Sequence, residues 1–258
     1  MNTLNEKLEA LKDLLEIMDE LREKCPWDRK QDFQSLRNLT IEETYELADA
    51  IMEEDMEDIK KELGDLLLHV VFYAKLGSEA NEFDIGDVAK SLNDKLIFRH
   101  PHVFGDTKVK DELDVKENWE QIKRKEGIKS VLGGVPESLP SMIKANRVQE
   151  KVKAVGFDWD QREQIWNKVK EELEELQEVI EQKDEQKIID EFGDLFFSII
   201  NAARLYDVDP ETALERTNRK FIKRFRHLEK ETLEKGRDLR DMNLDEMNEI
   251  WEKAKKLD

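Results

Sequence analysis

Five acidic residues stand twice in this chain, in the same order and at one constant offset of 129 residues. Glu42, Glu43, Glu46, Glu62 and Asp65 in residues 41–72 return as Glu171, Glu172, Glu175, Glu191 and Asp194 in residues 170–201. In each copy the leading carboxylates fall one helical turn apart, and the second pair follows after sixteen residues. That second pair is set in an apolar run, Leu63-Gly64-Asp65-Leu66-Leu67-Leu68 or Phe192-Gly193-Asp194-Leu195-Phe196-Phe197. Residues three and four apart share a helix face. Two antiparallel helices joined by a short turn would therefore gather four or five carboxylates at one place. Left unneutralised, such a group repels itself and raises its own pKa values. A bound divalent cation is the most economical resolution, and the duplication makes the whole chain two copies of one helical unit.

The rest of the composition agrees. With 10 Gly and 5 Pro in 258 residues, 41% charged and 38% hydrophobic, the chain reads as all-α. A net charge of −19 opposes non-specific binding to nucleic acid or to a membrane surface, so neither is expected as a partner. An anionic substrate would need a metal or a local basic patch. Cys25 is the lone cysteine, so no disulfide framework is expected and a reducing, cytoplasmic setting is. Residues 1–16 are charged and amphipathic, unlike a signal peptide, and the apolar run 66–74 is too short to span a bilayer.

Leu4, Leu8, Leu11, Leu15, Met18 and Leu21 predict a helix over 4–22, ended at Cys25-Pro26-Trp27-Asp28. Thr40 with Glu43 reads as a capping box opening a second helix, and residues 54–58 read as a polar turn. A third helix over 59–76 is apolar on nearly every face from Leu63 onward, which predicts a central, buried element. A helix over 85–99 and a short one over 115–126 follow. The breaker-rich residues 127–136, with Pro140 close behind, place a linker at 127–139 between domains 1–126 and 140–258. The second half repeats the first, with helices over 141–155, 165–182 and 188–205. A Pro210-led helix ending near Arg226 and a terminal helix with Trp251 and Lys255 complete it. Trp27 and Trp159 are expected to plug gaps between helices, and His69 to be a core histidine.

The repeat extends to basic and aromatic residues. Asn93-Asp94-Lys95 with Arg99 matches Asn218-Arg219-Lys220 with Arg224, and Trp119 with Lys123 matches Trp251 with Lys255. Lysine and arginine four apart on a helix suit phosphate oxygens. Lys168 and Lys187 lie beside the second acidic set, and a tryptophan can stack on a base. Oxygen-only ligation suits Mg2+ or Mn2+, with the shell shared by substrate phosphates. Two other readings stand beside this. A di-iron bundle would need Glu-x-x-His on two helices, which the acidic motifs lack. A helical interaction module with acidic grooves would predict no metal dependence.

Glu42-Glu43-x-x-Glu46 with Glu62-x-x-Asp65, repeated as Glu171-Glu172-x-x-Glu175 with Glu191-x-x-Asp194, resembles the MazG nucleotide pyrophosphohydrolases of the all-α NTP pyrophosphatase superfamily. The resemblance includes Cys25-Pro26-Trp27-Asp28, Arg99-His100-Pro101-His102-Val103-Phe104 and Gly156-Phe157-Asp158-Trp159. It implies two tandem MazG-type helical bundles, a homodimer, and Mg2+-dependent cleavage of nucleoside triphosphates between the α- and β-phosphates. It implies Glu172, Glu175, Glu191 and Asp194, and likewise Glu43, Glu46, Glu62 and Asp65, as metal ligands. Lys168, Glu171, Lys187, Lys220, Arg224 and Trp251 would contact nucleotide, with Lys95, Arg99 and Trp119 as the first-repeat set. The second repeat has the fuller basic complement, since Lys168 and Lys187 align with Leu39 and Asp58. It is the expected seat of catalysis, with Glu172 and Glu175 leading and Glu43 and Glu46 as counterparts. An alarmone or a damaged triphosphate is the alternative substrate.

Overall fold

The computed structural model describes residues 1–107, 130–234 and 236–257. Every regular element among them is helical. The chain divides into two compact units, residues 1–110 and 111–258.

The first unit contains α1 (Leu4–Lys24), α2 (Phe33–Glu53), α3 (Met56–Glu79), α4 (Ile85–Arg99) and the single-turn α5 (Pro101–Phe104). Thr3 and Glu6 form a capping box at the start of α1. The core joins Met18 of α1, Leu36 of α2, and Val71, Phe72 and Leu76 of α3. Arg22 fastens α1 to the far end of α3 through Glu79, at 3.0 and 2.6 Å.

The second unit contains α6 (Ser141–Lys153), α7 (Ile165–Gln182), α8 (Glu185–Leu205), α9 (Pro210–Glu234) and α10 (Leu244–Ala254). Its buried apolar residues include Ile165, Leu176, Val179, Ile200, Leu228 and Ile250. Residues 130–139 are held to α6: the Lys151 ammonium donates to the carbonyls of Val131 and Gly133, and Lys144 donates to that of Glu137. Gly156 takes a φ of +84° where the chain turns out of α6.

In both units the central feature is a helical hairpin, α2–α3 or α7–α8, and both hairpins turn alike. Glu54 and Lys183 sit in the left-handed region at φ 57° and 60°. Asp55 and Asp184 then cap the second helix, accepting from backbone N–H groups one turn on. Each of these pairs is related by the 129-residue offset, so the duplication reaches the turn chemistry.

Four expectations need correction. The helix α2 begins at Phe33 and not near Thr40. Asp32 accepts from the N–H groups of Gln34 and Ser35, and Ser35 returns a bond to the Asp32 N–H. Thr40 lies inside α2 and donates its hydroxyl back to the Leu36 carbonyl at 3.0 Å. Residues 56–58 belong to α3, because Asp55 caps it. The helix α9 continues past Arg226 to Glu234. Trp27 and Trp159 are no plugs: they are 55% and 40% exposed, and their neighbours do the structural work. Asp28 is buried and its carbonyl accepts from Arg22, while Asp158 is held bidentately by Arg204 at 2.5 and 3.1 Å.

The expectation that α3 is buried all round is also corrected. It buries one face, whereas Leu63, Leu67 and Val70 stand exposed along the other. Their offset counterparts on α8, Phe192, Phe196 and Ile199, are exposed too. His69 is buried, as expected of a core histidine, with Nδ1 2.8 Å from the Thr40 hydroxyl, which also meets Tyr73 at 2.8 Å.

Candidate metal centre

The turns set the geometry of the acid groups. Glu46 lies eight residues before Glu54 and Glu62 eight after it; Glu43 lies eleven before and Asp65 eleven after. In an antiparallel hairpin, positions equidistant from the turn face each other, here about 12 to 16 Å along the helices at 1.5 Å per residue. Glu175 and Glu191, then Glu172 and Asp194, are spaced identically about Lys183.

The structure brings the inner pair of each hairpin together with the glutamate of the outer pair. Glu43, Glu46 and Glu62 offer oxygens that all lie within 4.8 Å of one another, and Glu172, Glu175 and Glu191 do the same. Asp65 and Asp194 fall outside these tightest groups. Asp65 is still close enough to be, after partial burial, the leading charged influence that raises the Glu43 carboxyl, ahead of Glu46, Glu62 and Glu42. Glu175 is raised in the same way, by desolvation first and then by Glu172 and Glu191. Each cluster therefore strains against its own charge.

The two clusters differ in which carboxylate is buried. Glu62 on α3 is 4% exposed, and Glu172 on α7 is 6% exposed. Each has a lysine: Lys61 Nζ lies 2.7 Å from Glu62 Oε1, and Lys168 Nζ lies 2.8 Å from Glu172 Oε1 and 2.6 Å from Glu171. The second Glu62 oxygen, Oε2, is buried with no hydrogen-bond partner. A buried carboxylate oxygen without a donor calls for one, and only oxygen ligands converge here. The residues present fit a hard divalent cation.

Of the predicted nucleotide contacts, Lys168 and Glu171 stand at the cluster, joined to each other and, through Lys168, to Glu172. Lys187 pairs with Asp184, the cap of its own helix, at 3.7 Å. Arg224 lies over the Trp251 ring at 5.8 Å, and Phe221 packs on Trp251 with ring centroids 4.9 Å apart. Lys95 and Lys220 are exposed, Arg99 is half-buried at the end of α4, and Trp119 lies outside the described residues, as does the helix expected over 115–126. Phe221 was missed from sequence, although its place beside Lys220 and three residues before Arg224 was a usable signal.

A family model described as the MazG nucleotide pyrophosphohydrolase domain matches residues 31–104 and 161–229. Each matched segment contains one carboxylate hairpin. The chain belongs to the MazG family. Its relatives include the nucleoside triphosphate pyrophosphohydrolase/pyrophosphatase MazG of Thermotoga maritima, 44% identical over 248 residues and 94% of each chain. The nucleoside triphosphate pyrophosphohydrolase of Escherichia coli K12 is 40% identical over 252 residues, covering 94% of this chain and 96% of that one. A Bacillus subtilis protein, YabN, described as uncharacterized, is 46% identical over 235 residues, 90% of this chain and 48% of that protein. The MazG match thus falls on the two hairpins that the acidic repeat picked out.

Proposed function

We propose that this chain is a nucleoside triphosphate pyrophosphohydrolase that needs Mg2+, or Mn2+ in its place, and cleaves between the α- and β-phosphates. The observation that carries this is the convergence of three carboxylates within 4.8 Å on a duplicated hairpin that matches the MazG domain twice. Glu172, Glu175, Glu191 and Asp194 would hold the metal in the second unit, and Glu43, Glu46, Glu62 and Asp65 in the first. When bound, the ion would neutralise the cluster, draw in the triphosphate and acidify water.

The side chains of the chain itself do the rest. Lys168 supplies a positive charge beside the cluster, suited to phosphate oxygens. Arg224, Trp251 and Phe221 form one cationic and aromatic face on α9 and α10, suited to phosphate and base. Water attacks the α-phosphorus, the bond from that phosphorus to the bridging oxygen breaks, and pyrophosphate leaves with the electron pair. Glu175 is exposed and would give one oxygen to the metal, which leaves its other oxygen to take the water's proton. The second unit is the favoured seat because its cluster has Lys168 where the first repeat has Leu39.

The exposed stripes Leu63-Leu67-Val70 and Phe192-Phe196-Ile199 support a homodimer in which second-copy helices cover them. A reducing cytoplasmic setting agrees with the lone Cys25, and no helix among the described residues is long and apolar enough to cross a membrane.

The test is a panel of NTPs and dNTPs with Mg2+, including oxidised bases and an alarmone. Pyrophosphate should appear in step with the monophosphate, and Glu172→Gln and Glu43→Gln assayed separately should assign the units. Activity untouched by both changes would remove the site assignment.

A further inference from the structure

In each unit a lysine has found the carboxylate with least access to water, yet the two lysines are not repeat equivalents. Lys168 aligns with Leu39, and Lys61 aligns with Asp190. The buried carboxylates differ as well, Glu172 on the first helix of its hairpin and Glu62 on the second. A buried negative charge demands a counter-charge whether or not a ligand is present, and here two different positions supply it. Lys168 does more than Lys61, because one ammonium spans both Glu171 and Glu172 at 2.6 and 2.8 Å.

We propose that the Lys168 ammonium is the resident cation of the unloaded second site, and that it changes places with the divalent ion when a triphosphate binds. This rests on reading that cluster as the metal centre of a triphosphate hydrolase. Glu172 Oε1 already meets the Lys168 ammonium at 2.8 Å, so an ion taking that oxygen brings a second cation onto the same carboxylate and repels the lysine. The Lys168 side chain is 37% exposed and hangs on a flexible four-carbon stem, free to turn outward. An arriving triphosphate gives the displaced ammonium a new anion. Ion alone binds against the lysine; ion with triphosphate binds with it. The two ligands therefore bind cooperatively, and the coupling is reciprocal. In the first unit Lys61 takes one oxygen of Glu62 and leaves Oε2 without a partner, so an ion at that oxygen displaces nothing.

Mn2+ binding followed by electron paramagnetic resonance tests the exchange on the full chain. The first cluster is silenced by Glu43→Gln with Glu62→Gln, and an α,β-methylene triphosphate serves as the uncleavable ligand. Lys168→Met should bind Mn2+ alone about two- to fivefold more tightly than its parent, the worth of a partly exposed ion pair. The analogue should tighten Mn2+ binding in the parent and in Lys168→Arg by a clearly larger factor than in Lys168→Met, where only direct ligation by the phosphates remains. Lys168→Met binding Mn2+ alone no more tightly than the parent would overturn the exchange. Absence of Mn2+ binding in the parent, or binding indifferent to Glu191→Gln, would instead overturn the metal-centre reading beneath it.

Discussion

Glu43 and Glu175 are the carboxylates whose surroundings push their pKa values upward, through desolvation first and neighbouring acids next. A carboxyl raised in the native state binds its proton more tightly folded than unfolded. Its ionisation therefore costs stability as pH rises through the carboxylate range, and that cost lifts as pH falls. In metal-free protein at pH 7, Glu175→Gln should melt at a higher temperature than the parent, with the gap closing toward pH 4. A lower melting temperature at pH 7 would contradict the electrostatics. The same change should cut turnover by on the order of 100-fold, the usual worth of a positioned proton acceptor. The participants were legible in the sequence because helical spacing and a fixed offset act together. Which carboxylate each unit buries was not legible. Glu62 lies on the second helix of its hairpin and Glu172 on the first, and the repeated motif, alike in both copies, does not encode that difference.

At the scale of elements, the hairpin turns carry a cost that the sequence did not remove. Glu54 and Lys183 hold left-handed φ angles with a full side chain. Glu54→Gly and Lys183→Gly should each stabilise by about 0.5–1 kcal/mol, read by urea denaturation. Asp55→Ala should lose about 1 kcal/mol by removing the cap of α3. In the second unit, burial alone would raise the Asp158 carboxyl, but Arg204 and the Trp159 N–H outweigh it and hold it low. Its contribution is present above the ordinary aspartate pKa and is lost as pH falls below it. Asp158→Asn should cost about 2–3 kcal/mol, somewhat under a fully buried pair, and the loss should shrink in acid. The bounds of α7 were legible, 165–182, because its apolar period is uninterrupted. The start of α2 was not, because Thr40-x-x-Glu43 imitates a cap while Asp32-x-x-Ser35 is the working one.

For the whole molecule, the repeated apolar run explains both a success and an error. Residues apolar on nearly every face do mark the second helix of each hairpin, but one stripe faces the core and the other faces outward. The pattern cannot say whether the second stripe meets its own chain or another. Sedimentation equilibrium should give a mass twice 30.5 kDa. Phe196→Glu with Leu67→Glu should shift it toward the monomer; a monomeric parent would remove the dimer.

The account turns on the bond that breaks. Hydrolysis of a nucleoside triphosphate with Mg2+ in 18O-water, followed by mass spectrometry of both products, reads it directly. The account predicts one 18O in the nucleoside monophosphate and none in an equimolar yield of pyrophosphate. Label in released orthophosphate, with nucleoside diphosphate as the other product, would contradict it.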